Sequence, residues 1–163
     1  MSSFARERMH DLWPELEPLI REHWLEVAHY LDIPLDPDRD AYNAMEDAGA
    51  VRAYTARIKG VLVGYVIYFV RPNLHYSGSK QAVQDVLFIA PEHRGGLGFR
   101  LLRWSHERLR DEGVQVVYQH VKVKPGLNFG PVLERMGYEL IDNIYGKRLD
   151  KWEFPQQSPS RRR

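Results

Sequence analysis

Residues 88–102 read FIAPEHRGGLGFRLL, and this stretch decides the fold. It completes an apolar run that we predict as a strand over 82–90, which Pro91 ends because proline has no N–H for a sheet ladder. Three glycines then lead into residues 97–112, where leucines recur at helical spacing. The stretch is therefore a strand, a glycine turn and a helix in direct succession.

The glycine turn predicts a binding site for a phosphate or pyrophosphate. Glycine lets the backbone approach a ligand and adopt positive φ. The N–H groups that open the next helix lack partners, and the helix dipole favours an anion there. Arg94 adds a positive charge beside Gly95, Gly96 and Gly98. A turn without a ligand is the alternative, but three glycines in four residues beside an arginine favour the site.

Two other phosphate-binding patterns fit this turn less well. A P-loop needs GxxxxGK[ST], and no Lys-Ser or Lys-Thr follows these glycines. The dinucleotide fingerprint needs a glycine where Leu101 stands, and an acid where Val123 and Lys124 lie. Its sheet also opens with parallel strands, whereas here the turn Lys59-Gly60 joins two antiparallel strands.

Hydrophobic period and turn residues predict the other elements. In chain order they are helices over 14–31 and 38–48, strands over 51–58 and 61–70, the strand, turn and helix just described, a strand over 114–123, a helix over 128–136 and a strand or hairpin over 138–149. A strand–helix–strand passage favours a parallel pair. We therefore predict a mixed α/β (α+β) fold, with a mostly antiparallel sheet and helices on both faces. Residues 1–152 would form a single domain, followed by a disordered basic tail over 153–163.

Composition narrows the function classes. The net charge is +1, and without Arg161, Arg162 and Arg163 the remaining chain carries −2, so no nucleic-acid partner is expected. Cysteine is absent, which excludes disulfides, thiolate metal sites and cysteine nucleophiles. No HExxH is present, and we expect no metal. The longest apolar run has ten residues, too few to cross a bilayer, so a cytoplasmic protein without membrane contact is expected.

These features resemble the GNAT superfamily of N-acetyltransferases over residues 14–149. Its motif A is a strand, a [Q/R]-x-x-G-x-[G/A] turn and a helix. The chain looks closer still to acetyltransferase-like proteins of phages and prophages, in which segments similar to NLHY (73–76), DVLFIAPEHRG (85–95), YQHVKV (118–123) and FGPVLERMGYE (129–139) recur.

The resemblance implies acetyl transfer from acetyl-CoA, as co-substrate, to a primary amine by direct attack. The acceptor would be a small molecule or a protein lysine or N-terminus, and a homodimer is left open. The implied cofactor contacts are Phe88 and Ile89 for the pantetheine arm, Arg94, Gly95, Gly96, Leu97 and Gly98 for the pyrophosphate, and Asn128 in the late helix. The glycine loop is one residue shorter than the family's RGxGxG, so either His93 or Arg94 holds the place of the usual Gln/Arg.

The proton donor to the departing thiolate is not where the family has it. The usual tyrosine lies four residues before the glycine of a G-[FY] pair, and here Leu133 occupies that position. Tyr118, His120 and Tyr145 are the substitutes considered. Tyr118 and His120 would share one face of a strand, and histidine relays protons near neutral pH. For Tyr118, packing with a polar tip is an equal alternative.

Asp85 is the candidate acceptor of the amine's proton, since it lies on the strand that would hold the acetyl group. Capping or solvating that strand is an equal alternative for it. His75 and Tyr76, in the loop before the strand, are candidates for the acceptor pocket, or are simply solvated. The rival function is a catalytically silent relative that binds acyl-CoA or a protein partner, which the missing tyrosine would permit.

Overall fold

A computed structural model describes residues 1–124 and 129–151. Its elements are β1 (Ser2–Glu7), α1 (Met9–Val27), α2 (Arg39–Asp47), β2 (Val51–Ile58), β3 (Val61–Pro72), β4 (Lys80–Ile89), a 3-10 turn (Pro91–His93), α3 (Leu97–Asp111), β5 (Val114–Tyr118) and α4 (Gly130–Arg135). The five strands lie in one sheet in chain order. Neighbours are antiparallel except β4 and β5, which are parallel. This confirms the predicted fold class.

The central strand β3 is apolar on both faces because both faces are covered. Tyr65 and Ile67 pack under α1, whereas Val66 and Tyr68 pack under α3, as the period of two in a strand requires. Each of these four side chains is at most 1% exposed. Burying a side chain of this size stabilises the fold by about 1.5–3 kcal/mol, so the two helix layers hold the sheet from opposite sides.

A β-bulge in β4 changes which face its side chains occupy. Tyr68 of β3 lies opposite Gln84 and Ile67 lies opposite Val86, which leaves Asp85 as the extra residue. Ala82 packs in the core under α3, whereas Val86 packs in the core under α1. In a regular strand these two side chains would point to the same face, because they are four residues apart. A bulge re-aims side chains in this way, and here it re-aims Asp85.

Strands β4 and β5 separate just before the bulge. Their pairing ends at Val83 opposite Tyr118, while β4 continues to Ile89. The second half of β4 therefore keeps β3 on one side and has no strand on the other among the described residues. The resulting gap points towards the glycine turn.

Several element boundaries differ from those expected from the sequence. The N-terminal strand β1 was not predicted, and it pairs with β2 from Ser2 opposite Ile58 to Glu7 opposite Ala53. The first helix covers Met9–Val27 rather than 14–31, with Pro14 and Pro18 inside it. The other five strands and helices up to residue 112 agree within two residues at each end.

The C-terminal part differs more. Strand β5 ends at Tyr118 rather than 123, and residues 138–149 form no strand. Beyond Tyr138 the apolar side chains of that segment are exposed, including Leu140, Ile144 and Tyr145, so the apolar pattern that predicted a strand has no sheet to pack on. The predicted start of the late helix at 128 and the tail over 153–163 lie outside the described residues.

Candidate active site

A cleft of about 1330 Å³ opens along the separated half of β4. The glycine turn forms one end of it, and β4 forms the floor. Its walls come from α1, the start of α2, residues 28–37 between those helices, residues 120–122 and α4. The volume exceeds the usual 300–1,000 Å³ of a pocket for one small ligand, so two reactants can be held together.

The glycine turn has the backbone that its sequence predicts. Gly95 and Gly96 have φ of +87° and +105°, which residues with a Cβ rarely adopt. Gly96 precedes α3 and no side chain caps the helix, so the N–H groups of Leu97, Gly98 and Phe99 have no acceptor within it. These donors form an anion site at the end of the cleft.

Arg94 is fixed beside this anion site. Its Nε donates to the carbonyl oxygen of Ile89 at 3.0 Å, and its Nη2 lies 2.6 Å from Glu26 Oε2. The guanidinium also lies 5.8 Å from the centre of the Phe88 ring. Arg94 lines the cleft and His93 does not, so Arg94 is the residue of the shortened loop that faces the cleft.

The backbone of β4 presents hydrogen-bonding groups to the gap at alternate residues. Ala90 N–H donates to Val63 at 2.9 Å, so Ala90 and Phe88 face β3. Leu87 and Ile89 therefore face the gap. The main chain of Phe88, where a contact with the pantetheine arm was expected, is thus directed at β3, and Leu87 is the neighbour whose main chain faces the gap; both residues line the cleft.

Leu97 was expected to contact the pyrophosphate through its backbone. Its side chain is 2% exposed and packs in the core under α3, which leaves its backbone N–H at the glycine turn. Gly98 lies against β4, since a Cβ built on it would meet Ile89 Cγ1 at 3.4 Å. Asn128 lies outside the described residues.

Asp85 lies in the floor of the cleft, inside a group of aromatic rings. Its Oδ2 accepts a hydrogen bond from the hydroxyl of Tyr42. The Tyr42 ring stacks on Phe69 at 6.2 Å between centroids and meets Trp13 edge-on at 5.7 Å. Burial raises the pKa of Asp85 above its ordinary value, and the Tyr42 hydrogen bond and the nearby His120 partly oppose this rise.

The structure brings Asp85 and His120 together and leaves Tyr118 apart. Residue 120 follows β5, and its N–H donates to Gln84 Oε1 at 3.2 Å, which holds it next to the bulge. His120 and Asp85 both line the cleft, whereas Tyr118 does not. Because β5 ends at Tyr118, the expected shared strand face does not exist.

The other residues expected at the site lie elsewhere. His75 and Tyr76 are exposed in the turn between β3 and β4, at the end of β4 opposite the glycine turn, and do not line the cleft. Tyr145 is 92% exposed and also outside it. Leu133 is buried in the core under α3, and its hydrocarbon side chain has no acidic proton to donate.

Sequence reasoning missed the contribution of the first two helices. His23 Nδ1 lies 3.2 Å from the hydroxyl of Tyr65, and its ring stacks on Phe88 at 5.0 Å. Burial lowers the pKa of His23 to about 4 and raises that of Tyr65. Helical periodicity places Trp13, His23 and Tyr42 on inward faces, but it cannot distinguish a core from the wall of a cleft.

Within residues 1–124 and 129–151, no group of three or more His, Cys, Asp or Glu side chains is arranged to hold a metal ion. No helix in the same part of the chain is long and apolar enough to cross a bilayer.

Solved structures with the same fold include acetyltransferases from several sources. A ribosomal-protein-alanine N-acetyltransferase from Brucella melitensis biovar Abortus 2308 has 20% identity and a TM-score of 0.67, covering 91% of this chain and 99% of its own. An aminoglycoside acetyltransferase from an uncultured soil metagenomic sample has 18% identity and a TM-score of 0.68, with coverages of 90% and 96%. A predicted acetyltransferase with acetyl-CoA from Clostridium acetobutylicum has 13% identity and a TM-score of 0.69, with coverages of 94% and 100%.

At these identities the likeness shows the fold alone. None of the three structures is described as a phage protein, so they do not support the closer resemblance to phage and prophage proteins. A search of curated proteins found no significant match. The family model of the acetyltransferase (GNAT) family, however, matches residues 8–138. The chain belongs to the GNAT acetyltransferase family.

Proposed function

We propose that this protein is an N-acetyltransferase that uses acetyl-CoA to acetylate a primary amine by direct attack. The observation that carries the proposal is that two sets of backbone hydrogen-bonding groups follow one another along one cleft. The anion site at the glycine turn leads directly to the gap-facing backbone of Leu87 and Ile89. A pyrophosphate followed by an arm with two amide groups matches that order, and acetyl-CoA has both.

The residues of the cleft would hold acetyl-CoA in a defined direction. Arg94 and the N–H groups of Gly95 to Phe99 suit the pyrophosphate. The N–H of Ile89 and the backbone of Leu87 suit the amides of the arm. Asp85 lies four residues before Ile89, about 13 Å along the strand, where the far end of the arm would carry the thioester. When bound, acetyl-CoA supplies the activated acyl group and its thiolate leaving group.

Asp85 and His120 would handle the protons. The neutral amine forms a C–N bond to the thioester carbonyl while the C–S bond breaks. The proton of the amine passes to Asp85, directly or through water, and the departing sulfur takes a proton from His120. The raised pKa of Asp85 makes it a better base than an ordinary carboxylate. Direct attack fits a chain without cysteine, which has no thiol to carry the acyl group.

A silent acyl-CoA-binding protein is the second candidate, and the buried Leu133 in place of the family's tyrosine favours it. Two measurements separate the candidates. Calorimetric titration should show CoA binding with a micromolar Kd, and thiol release should then require an amine. Binding without thiol release for any amine supports the silent protein, and absence of CoA binding contradicts both.

A further inference from the structure

We infer that the acceptor is a primary amine joined to one apolar, aromatic body, as in an arylalkylamine, and not a polycation. The inference rests on the proposed function because it concerns the same cleft. It is drawn from the part of the cleft beyond Asp85, on the side away from the glycine turn. Tyr42 lies there against Asp85 and Trp13, and residues 33–37, which lead into α2, line the same cleft.

The number of carboxylates limits how many cations the cleft can hold. Among the described residues that line it, the acidic side chains are Glu26, Asp36 and Asp85. Glu26 is committed to Arg94 at 2.6 Å. Asp36 lies on an exposed stretch of the loop. Only Asp85 is a carboxylate in the floor, so the site offers one buried partner for one ammonium group.

Aromatic rings surround that carboxylate. Tyr42 holds Asp85 through its hydroxyl and packs edge-on against Trp13. The Trp13 indole N–H is already used, since it donates to Asn43 Oδ1 at 3.0 Å. Tyr65 is the next lining residue of the floor, and its hydroxyl is engaged by His23. Tyr42 is the ring of this group that keeps exposed surface beside Asp85, whereas Trp13 is 5% and Tyr65 0% exposed and both pack behind the surface.

The segment between α1 and α2 lines the same cleft with apolar side chains. It contributes Ile33, Pro34, Leu35 and Pro37 to the lining. An aromatic body between these side chains and the rings would bury apolar surface, worth roughly 25 cal/mol per Å². A polyamine or aminoglycoside would instead place further ammonium groups against carbon, and burying an unpaired charge is strongly unfavourable.

Binding to the protein saturated with CoA tests the inference without requiring turnover. Calorimetry would compare phenethylamine and tryptamine with spermidine and kanamycin. We expect the two arylalkylamines to bind at least 10-fold more tightly. Equal or tighter binding of spermidine or kanamycin would overturn the inference. A short peptide amide with N-terminal phenylalanine tests whether a protein N-terminus supplies the same chemistry, and its binding would support the inference as well.

A pair of variants on one loop sharpens the test. Leu35→Glu adds a second carboxylate to the lining, so it should lower the preference for phenethylamine over spermidine by about 10-fold. Leu31→Glu adds the same charge at a side chain that is 67% exposed and does not line the cleft. It should leave the preference unchanged. An equal shift in both variants would mean that long-range charge, and not the lining, sets the preference.

Failure of the inference and failure of the proposed function give different results. If kanamycin is bound and acetylated best, the protein is an N-acetyltransferase and only the acceptor class is wrong. If CoA itself does not bind, the proposed function fails. If phenethylamine binds the CoA complex but acetyl-CoA releases no thiol, the acceptor class holds and the protein is the silent alternative.

Discussion

Asp85 combines a position that favours chemistry with an environment that costs stability. Burial raises its pKa, so ionising this carboxyl group costs more free energy in the folded protein than in the unfolded chain. The stabilising contribution of the protonated form is full below the ordinary pKa and is lost as pH rises through the raised one. A carboxyl group in a cleft whose pKa is raised by burial is typical of a functional site.

Replacing Asp85 with asparagine should therefore separate activity from stability. We expect kcat to fall by about 100-fold, the lower range for loss of a general base, while CoA affinity changes less than twofold. Tm at pH 7 should rise by roughly 1–4 °C and this gain should disappear below pH 4. Thermal unfolding and initial rates measure both. Asp142→Asn, at an exposed side chain outside the cleft, is the control and should change neither quantity.

The same carboxylate sets a pH limit for the reaction. Because its pKa lies above the ordinary 3.8, the acidic limb of the kcat/KM profile should fall at a higher pH than an unperturbed aspartate would give. Substituting Tyr42 with phenylalanine removes the hydrogen bond that opposes the rise. The limb should then move further up in pH. An acidic limb that moves down in pH, or stays in place, would show that a group other than Asp85 sets it.

At the scale of elements, much of the site could be predicted because it lies on contiguous sequence. The strand, glycines and helix of residues 82–112 carry their own signals: a buried apolar run, positive-φ residues and a 3.6 period. The bulge at Asp85 and the gap beside β4 could not be predicted, since both depend on how two strands pair. His75 and Tyr76 were misplaced for the same reason: closeness in sequence to β4 does not reveal which end of it faces the cleft.

Glycines at the two ends of α3 allow ligand contact to be distinguished from backbone strain. Gly96 and Gly113 have φ of +105° and +83°, and a Cβ on either would meet nothing within 4 Å. Substitution by valine should destabilise the fold at both positions, by about 1–2 kcal/mol. Only Gly96→Val should weaken CoA binding, by at least 10-fold, in calorimetry. Comparable loss in Gly113→Val would assign the effect to strain alone.

The loop between α1 and α2 is held to the C-terminal segment by an ion pair and a ring contact. Arg148 Nη1 lies 3.0 Å from both carboxylate oxygens of Asp32, and its guanidinium lies 5.4 Å from the Tyr30 ring. Arg148→Ala should free residues 28–37. We expect faster hydrogen exchange there and a several-fold higher KM for the amine, with little change for acetyl-CoA. An equal rise in both KM values would contradict this role.

Over the whole molecule, two buried histidines make stability depend on pH. Burial lowers the pKa of His23 and His106 to about 4, from 6.5. His106 Nε2 lies 2.9 Å from the hydroxyl of Tyr138, on the face opposite the cleft. A lowered pKa contributes stability above pH 6.5 and loses it as pH falls towards 4.

Urea unfolding between pH 7 and 4.5 should show this loss, at roughly 2–3 kcal/mol for each histidine. His106→Gln should reduce the dependence on pH. His10→Gln, at a side chain that is 77% exposed, should not alter it. A pH dependence that survives in His106→Gln unchanged would show that this histidine titrates normally.

For the whole molecule, we propose that one cleft holds acetyl-CoA and an amine for direct transfer. The most direct measurement is a mass-resolved reaction with acetyl-CoA and phenethylamine, in which N-acetylated product and released CoA are quantified together. We expect both to appear in a 1:1 ratio, and Gly96→Val and Asp85→Asn to slow them in parallel. Thiol release without acetylated amine, or a lasting acetyl group on the protein itself, would contradict the proposal.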